Sequence, residues 1–165
     1  MNGITVRPGT VGDAASMMEV HHAAVQAVSL SFYDSFTLND WSSPATQPER
    51  LKGLIANIKS GEETTLVAEN TADIIVGFGS IMLSRSELRA VYVHPEYGRQ
   101  GLGGRILNAL ETLAKEAGLI ELKMESSLNA ERFYQSHGYK TLAKSEHISR
   151  SGHHIPCLKM RKLLS

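Results

Sequence analysis

The residues whose types and spacing promise chemistry lie close together: Arg99, Gln100, Gly101, Leu102, Gly103, Gly104 and Arg105. Glycines free of a Cβ let a ligand approach the main chain. Two arginines beside them add full positive charge. The elements that must carry this loop are legible on either side. Val91, Tyr92 and Val93 favour a strand, and Pro95 turns the chain out of it. From about Gly104 the apolar positions Ile106, Leu110, Leu113 and Ala117 recur at helical spacing, and Gly118 closes that helix. A strand, a glycine loop and a helix N-terminus form an anion site, because free N–H groups and the helix dipole face the same point. The expected ligand carries phosphate.

Three phosphate motifs compete for this stretch. A P-loop requires Gly-Lys-Ser/Thr, and here Arg105-Ile106 follows the glycines. A dinucleotide-binding turn finds a second apolar strand, Leu119–Met124, ending at Glu125, roughly 20 residues on, where a ribose-binding acid sits. Against it, His94 to Gln100 separate the strand from Gly101, and Ile106 replaces the third glycine. The third motif fits. Val93-His94-Pro95 followed by Gly98-Arg99-Gln100-Gly101-Leu102-Gly103 resembles motif A of the GNAT superfamily, the Gcn5-related N-acetyltransferases. Gly98 stands where that pattern usually has Arg or Gln. Downstream, Asn129 to Tyr139, with Phe133-Tyr134 and Gly138-Tyr139, resembles the family's motif B. The resemblance runs from Leu66 to about Met160.

The resemblance implies acetyl-CoA as cosubstrate, no metal, and direct attack of an amine on the thioester. It assigns cofactor binding to Val91, Tyr92 and Val93, to Arg99 through Arg105, to Asn129 and to Tyr134. It points to Tyr134 as the acid, since a phenol stays protonated at neutral pH and can donate to a departing thiolate. It points to Glu87, six residues before Val93, as the base. Glu87 also reads as a surface carboxylate paired with Arg85 or Arg89, and Asn129 also reads as a helix N-cap. Cys157 reads as a small buried hydrophobe and His137 as structural, near the Gly138 helix end. His153, His154 and Cys157 are zinc-type ligands without a fourth nearby.

Composition sets bounds. The chain has 165 residues, 42% hydrophobic and 21% charged, and one domain spanning 1–165 is expected. Lys plus Arg equals Asp plus Glu, 17 each, which speaks against sequence-independent nucleic-acid binding. The lone Cys157 excludes a disulfide framework. With no signal-peptide pattern and no membrane-length apolar run, a cytoplasmic protein is expected. The family resemblance implies a bacterial one, monomer or homodimer.

In chain order, Ile4–Arg7 reads as a strand, and Thr10 to Asp13 has capping-box spacing. A helix follows with Ala14, Met17, Met18, His21, Val25 and Val28 on its apolar stripe. His21 and His22 point about 100° apart, so one packs and the other is solvated, or one lines an acceptor pocket. Ser29–Ser43 is aromatic and irregular. By resemblance this stretch covers the acceptor, which makes Tyr33 and Trp41 candidate substrate contacts, with His22 of the preceding helix as a third. The helix with Ala-Val, then a Tyr, then a Trp loosely resembles the YafP-like bacterial branch. A second helix starts near Pro48 and ends at Gly61. Thr64–Glu69 and Ile74–Leu83 form a hairpin, with Gly77 and Gly79 marking a bend or close approach. A closing hairpin runs Lys140–Ile148 and Ile155–Arg161, and Pro156, which cannot donate to a ladder, places that strand at an edge there. The fold class expected is α+β, and the resemblance implies about seven mixed, mostly antiparallel strands, about four helices and a central splay. The function expected is acetyl transfer to a primary amine of a small molecule or peptide. An acetyl-CoA sensor with the same fold is the alternative.

Overall fold

The computed structural model describes residues 3–44 and 47–165. Its centre is a seven-stranded sheet: β1 Thr5–Pro8, β2 Thr64–Glu69, β3 Ile75–Met82, β4 Glu87–Val93, β5 Glu121–Ser127, β6 Lys140–Ile148 and β7 His154–Leu163. The spatial order is β1-β2-β3-β4-β5-β7-β6, and only β4 and β5 run parallel. Helices α1 Ala14–Gln26, α2 Ser35–Trp41, α3 Gln47–Ser60, α4 Leu102–Glu116 and α5 Glu131–Ser136 complete it. The α+β class and the mixed sheet are as expected from the sequence. No helix among the described residues is long and apolar enough to cross a membrane.

Two layers flank the sheet. On one face α4 buries Leu102, Ile106, Leu107, Leu110 and Ala114 against Leu66, Val76, Leu88 and Leu122. Each such leucine removed from water contributes about 1.5–3 kcal/mol. The close approach explains two β3 glycines. A Cβ on Gly79 would lie 2.7 Å from both Ile106 and Leu110, and one on Gly77 3.1 Å from Ile106. On the other face α1 packs Met17 and Val20 on Val67 and Phe78. Thr10 N–H donates to the Asp13 carboxylate at 2.8 Å, as the capping-box spacing predicts. Arg7 joins that carboxylate at 2.9 Å and also reaches Glu69, tying β1 to β2.

Several boundaries differ from the sequence reading. Ser29–Ser43 is not irregular throughout: Asp34 accepts the Thr37 N–H at 2.7 Å and so caps α2, the additional helix. Thr37 and Leu38 are buried. Helix α4 begins at Leu102, because Gly101 lies at φ +81° and its carbonyl already accepts from Arg105 N–H. Strand β5 begins at Glu121, since Leu119 still closes the α4 C-terminus by donating to Ala114. It runs on to Ser127, paired with Cys157. Finally, β7 lies inside the sheet for most of its length and is an edge only at its start, including Pro156, where the proline requires one. Pro156 is accommodated because β5 has ended opposite Cys157, leaving that side of Pro156 without a strand.

Candidate active site

Strands β4 and β5 meet at one register pair only, Glu87 opposite Lys123, where Lys123 N–H donates to Ser86 at 2.9 Å. Beyond it the two strands part. From Arg89 to Val93, β4 has β3 on one side and no strand on the other. An unpaired edge of this kind can pair with an extended ligand that carries amides. The gap opens into a cavity of about 230 Å³. Val91, Tyr92 and Val93 line it from β4, and Ser127, Asn129 and Ala130 line it from the far side. Tyr33 holds that far side in place. Its hydroxyl donates to the Pro156 carbonyl at 2.6 Å and accepts the Leu128 N–H at 2.9 Å. Asn129 is exposed and makes no hydrogen bond within the described protein, and it does not cap α5.

At the end of β4, Pro95 to Tyr97 form a single tight turn, and then the loop enters two left-handed positions. Arg99 has φ +59° and Gly101 φ +81°, with Gln100 between them. Alternation of this sort turns successive N–H groups toward one point, the main-chain cradle used for phosphates. Nothing lies within 4 Å of where a Gly101 Cβ would be, so the loop face is open. Gly103 and Gly104 have a different reason. Their missing Cβ atoms would meet Phe133 at 3.3 Å and His137 at 3.0 Å, so they let α5 rest on the first turn of α4. Leu102 is in the core, and only its main chain can face a ligand. Gln100 donates to the Glu96 carbonyl, Arg99 is exposed, and Arg105 reaches back to the Ile4 carbonyl at 3.2 Å.

Tyr134 is buried on α5, between the Phe133 and Tyr139 rings at 5.0 and 5.6 Å. Its hydroxyl has no hydrogen-bond partner among the described residues. Burial, and secondly Tyr92, push its pKa well above the ordinary phenol value. Glu87 is part-exposed, 3.5 Å from Arg89, so its surface-pair reading and its place in the cleft hold together. Cys157 is buried, and desolvation followed by Glu125 raises its thiol to about 11, which suits a packed residue and not a nucleophile. His153 faces Thr37 and His154 faces Glu146, so the three zinc-type side chains diverge.

A larger cavity, about 690 Å³, continues from the gap on the α1 and α3 side. Tyr92, Trp41 and Ser127 line both spaces. Tyr33 and Trp41 are in its wall. His22 is not: its Nδ1 donates to the Ser42 carbonyl at 3.1 Å, away from the cavity. His21 takes that place, edge-on to Tyr92 at 4.7 Å and to Trp41 at 6.3 Å. Burial holds its pKa down to about 3, so it is neutral. The helical stripe had already placed His21 inward, and the stripe was the better guide. Glu63 and Arg50 also face this cavity and carried no sequence signal. Glu63 is buried and accepts the Ser80 hydroxyl at 2.8 Å.

An open strand edge, a left-handed phosphate cradle and an unpartnered Asn129 fit the amide arm and pyrophosphate of coenzyme A. Known proteins show where the chain belongs. Over 143 residues the chain is 22% identical to spermidine N(1)-acetyltransferase of Thermoplasma acidophilum, covering 83% of this chain and 88% of that one. A crystal structure of a GCN5-related N-acetyltransferase from Rhodopseudomonas palustris superposes with a TM-score of 0.87 at 24% identity, covering 99% and 98% of the two chains. The PaiA N-acetyltransferase of T. acidophilum in complex with coenzyme A gives 0.76 at 20% identity, covering 97% and 98%. Residues 23–164 match the family model of the acetyltransferase (GNAT) domain, and the chain belongs to that family.

Proposed function

We propose that the chain, as one domain, acetylates a primary amine of a small molecule, with the β4–β5 gap as the cosubstrate channel and the 690 Å³ cavity as the acceptor pocket. The observation that carries this reading is the parting of β4 from β5 directly beside the Gly101 cradle. When bound, acetyl-CoA supplies an activated acetyl thioester. The residues of this chain then have separate tasks. The β4 edge and Asn129 orient the amide arm, and the Arg99–Gly101 turn holds the pyrophosphate. Tyr134 keeps its proton because it is buried, so it stays a donor to sulfur throughout the physiological range. Glu87 accepts the proton that the acceptor ammonium must lose before nitrogen has a lone pair to offer. Transfer is direct, since Cys157 is packed, protonated and beside a carboxylate.

The test is release of CoA thiol from acetyl-CoA with a broad amine panel, followed by product mass. Turnover with N-acetylated product supports the reading. Tight CoA binding with no turnover on any amine would make the chain a sensor.

A further inference from the structure

The acceptor cavity has a charge pattern that the family alone does not dictate. Among the described residues it is lined by six Arg and Lys side chains against three glutamates, Glu63, Glu87 and Glu125. Some of these cations are neutralised locally: Arg89 faces Glu87 and Lys123 faces Glu121. Arg50 and Arg150 are not. Arg50 is half-buried on α3, and its Nη1 donates to the neutral His21 Nδ1 at 3.4 Å. Arg150 comes from the β6–β7 turn and lays its Nη2 over α3 at Gly53, 3.9 Å from where a Cβ would be. Gly53 is three positions after Arg50, so it lies on the same helix face. No carboxylate of the described protein pairs with either guanidinium. Burial acts most strongly against the Arg50 charge, Tyr92 partly offsets it, and Arg150 is near enough to act against it as well. Arg7, at the opposite side of the sheet, shows the contrast: it is held by both Asp13 and Glu69.

Two like charges facing one cavity, one of them half desolvated, are unfavourable until an anion joins them. A planar guanidinium pair is suited to the two oxygens of one oxyanion. We infer that Arg50 and Arg150, with His21 between Arg50 and Tyr92, form an anion subsite, and that the acceptor is a small amine carrying a carboxylate or phosphonate. The inference rests on the N-acetyltransferase reading only for the word acceptor; the anion site itself does not need it. A polyamine, with positive charge at every polar end, would meet repulsion here.

The test uses the full chain saturated with CoA, titrated calorimetrically with glutamate, 3-aminopropylphosphonate and 1,3-diaminopropane. The two anionic amines are expected to bind, the diamine about tenfold or more weaker. Arg50→Gln and Arg150→Gln are each expected to weaken the anionic amines about tenfold with CoA affinity unchanged. Arg150 is in an exposed turn, so its variant stays informative even where Arg50→Gln folds poorly. The glutamate and phosphonate arms tell carboxylate from phosphonate. The inference is overturned if the diamine binds as tightly as the anions, if neither variant changes anion affinity, or if the anions compete with CoA. If the anionic amines bind through these arginines and none is acetylated, the subsite stands and the transferase reading falls. If the diamine is acetylated at the same rate by wild type and both variants, the transferase reading stands and the subsite falls.

Discussion

The two halves of the cleft are made in different ways. The cofactor half is built around one run of chain, Arg89 to Arg105, and is closed by Ser127, Asn129 and Ala130 across the gap and by the end of α1. It presents mostly main chain: an unpaired strand edge and two left-handed residues. The acceptor half is assembled from α1, α2, α3, β4 and the β6–β7 hairpin, and it presents mostly side chains. Main-chain binding depends on backbone shape, which glycine and proline positions dictate. Side-chain binding depends on which distant residues meet, and that is decided by packing of the whole sheet. The first half therefore suits a cosubstrate shared by many proteins, and the second can vary without disturbing it.

Tyr134 is buried on α5, lines neither cavity, and is near enough to Tyr92 for the two phenols to interact. If it is the acid proposed above, its removal should have the largest effect on rate. Tyr134→Phe keeps the ring among Phe133 and Tyr139, so the α5 packing survives. The hydroxyl bonds no other group in the described protein, so its loss orphans nothing. A kcat reduced about 100-fold with CoA affinity little changed is expected, from steady-state kinetics beside calorimetry. A wild-type kcat would return Tyr134 to the core.

Gly101→Val probes the main-chain half alone. The side chain has open space, but φ +81° costs a branched residue about 1–2 kcal/mol. CoA affinity should fall about tenfold as the cradle distorts. Gly104→Val should behave differently, lowering melting temperature first, because its Cβ meets His137 at 3.0 Å. Equal CoA affinity in a folded Gly101→Val protein would break the contrast between the halves.

The same contrast explains what the sequence could tell. The phosphate loop, its strand and its helix were legible, because glycine, proline and a 3.6-residue stripe report directly on backbone. The gap itself came from the family resemblance, since nothing local in Glu87–Val93 says that β5 will diverge. The short helix α2 was missed because its signal is one cap, Asp34, among aromatics that read as loop. His21 was legible as buried but not as cavity-lining. Arg50, Glu63 and Arg150 were illegible, because each is an ordinary polar residue until folding sets it beside residues from other elements.

His21 provides a pH test of the side-chain half. Its folded pKa is lowered to about 3, against about 6.5 unfolded. Between these values only the unfolded chain takes the proton. The His21 contribution to stability is thus fully present above pH 6.5 and is lost as pH falls toward 3. At pH 6 the loss is about 0.8 kcal/mol, or about fourfold in the folding constant. His21→Gln should remove that share of the acid sensitivity, measured as the change in unfolding free energy between pH 8 and pH 6. An unchanged slope would place the titrating group elsewhere.

The smallest effect belongs to Glu87. It lies in the cleft at the single point where β4 and β5 still touch, part-exposed and 3.5 Å from Arg89. Its carboxylate is therefore shared between an ion pair and the cavity, and solvent can reach the same space. A water chain can take over proton removal where the carboxylate is gone, so Glu87→Gln should lower kcat by only about threefold, well under a full general-base contribution. The reduction should grow as pH falls below the acceptor's own pKa, because the fraction of neutral amine then limits the rate and assistance matters more. CoA affinity should not move, since the cradle and the β4 edge beyond Arg89 are untouched. A reduction of about 100-fold would instead show that Glu87 alone carries the proton. The acceptor half would then hold a fixed base comparable in weight to Tyr134, and the division between a rigid main-chain half and an adaptable side-chain half would fail at that residue.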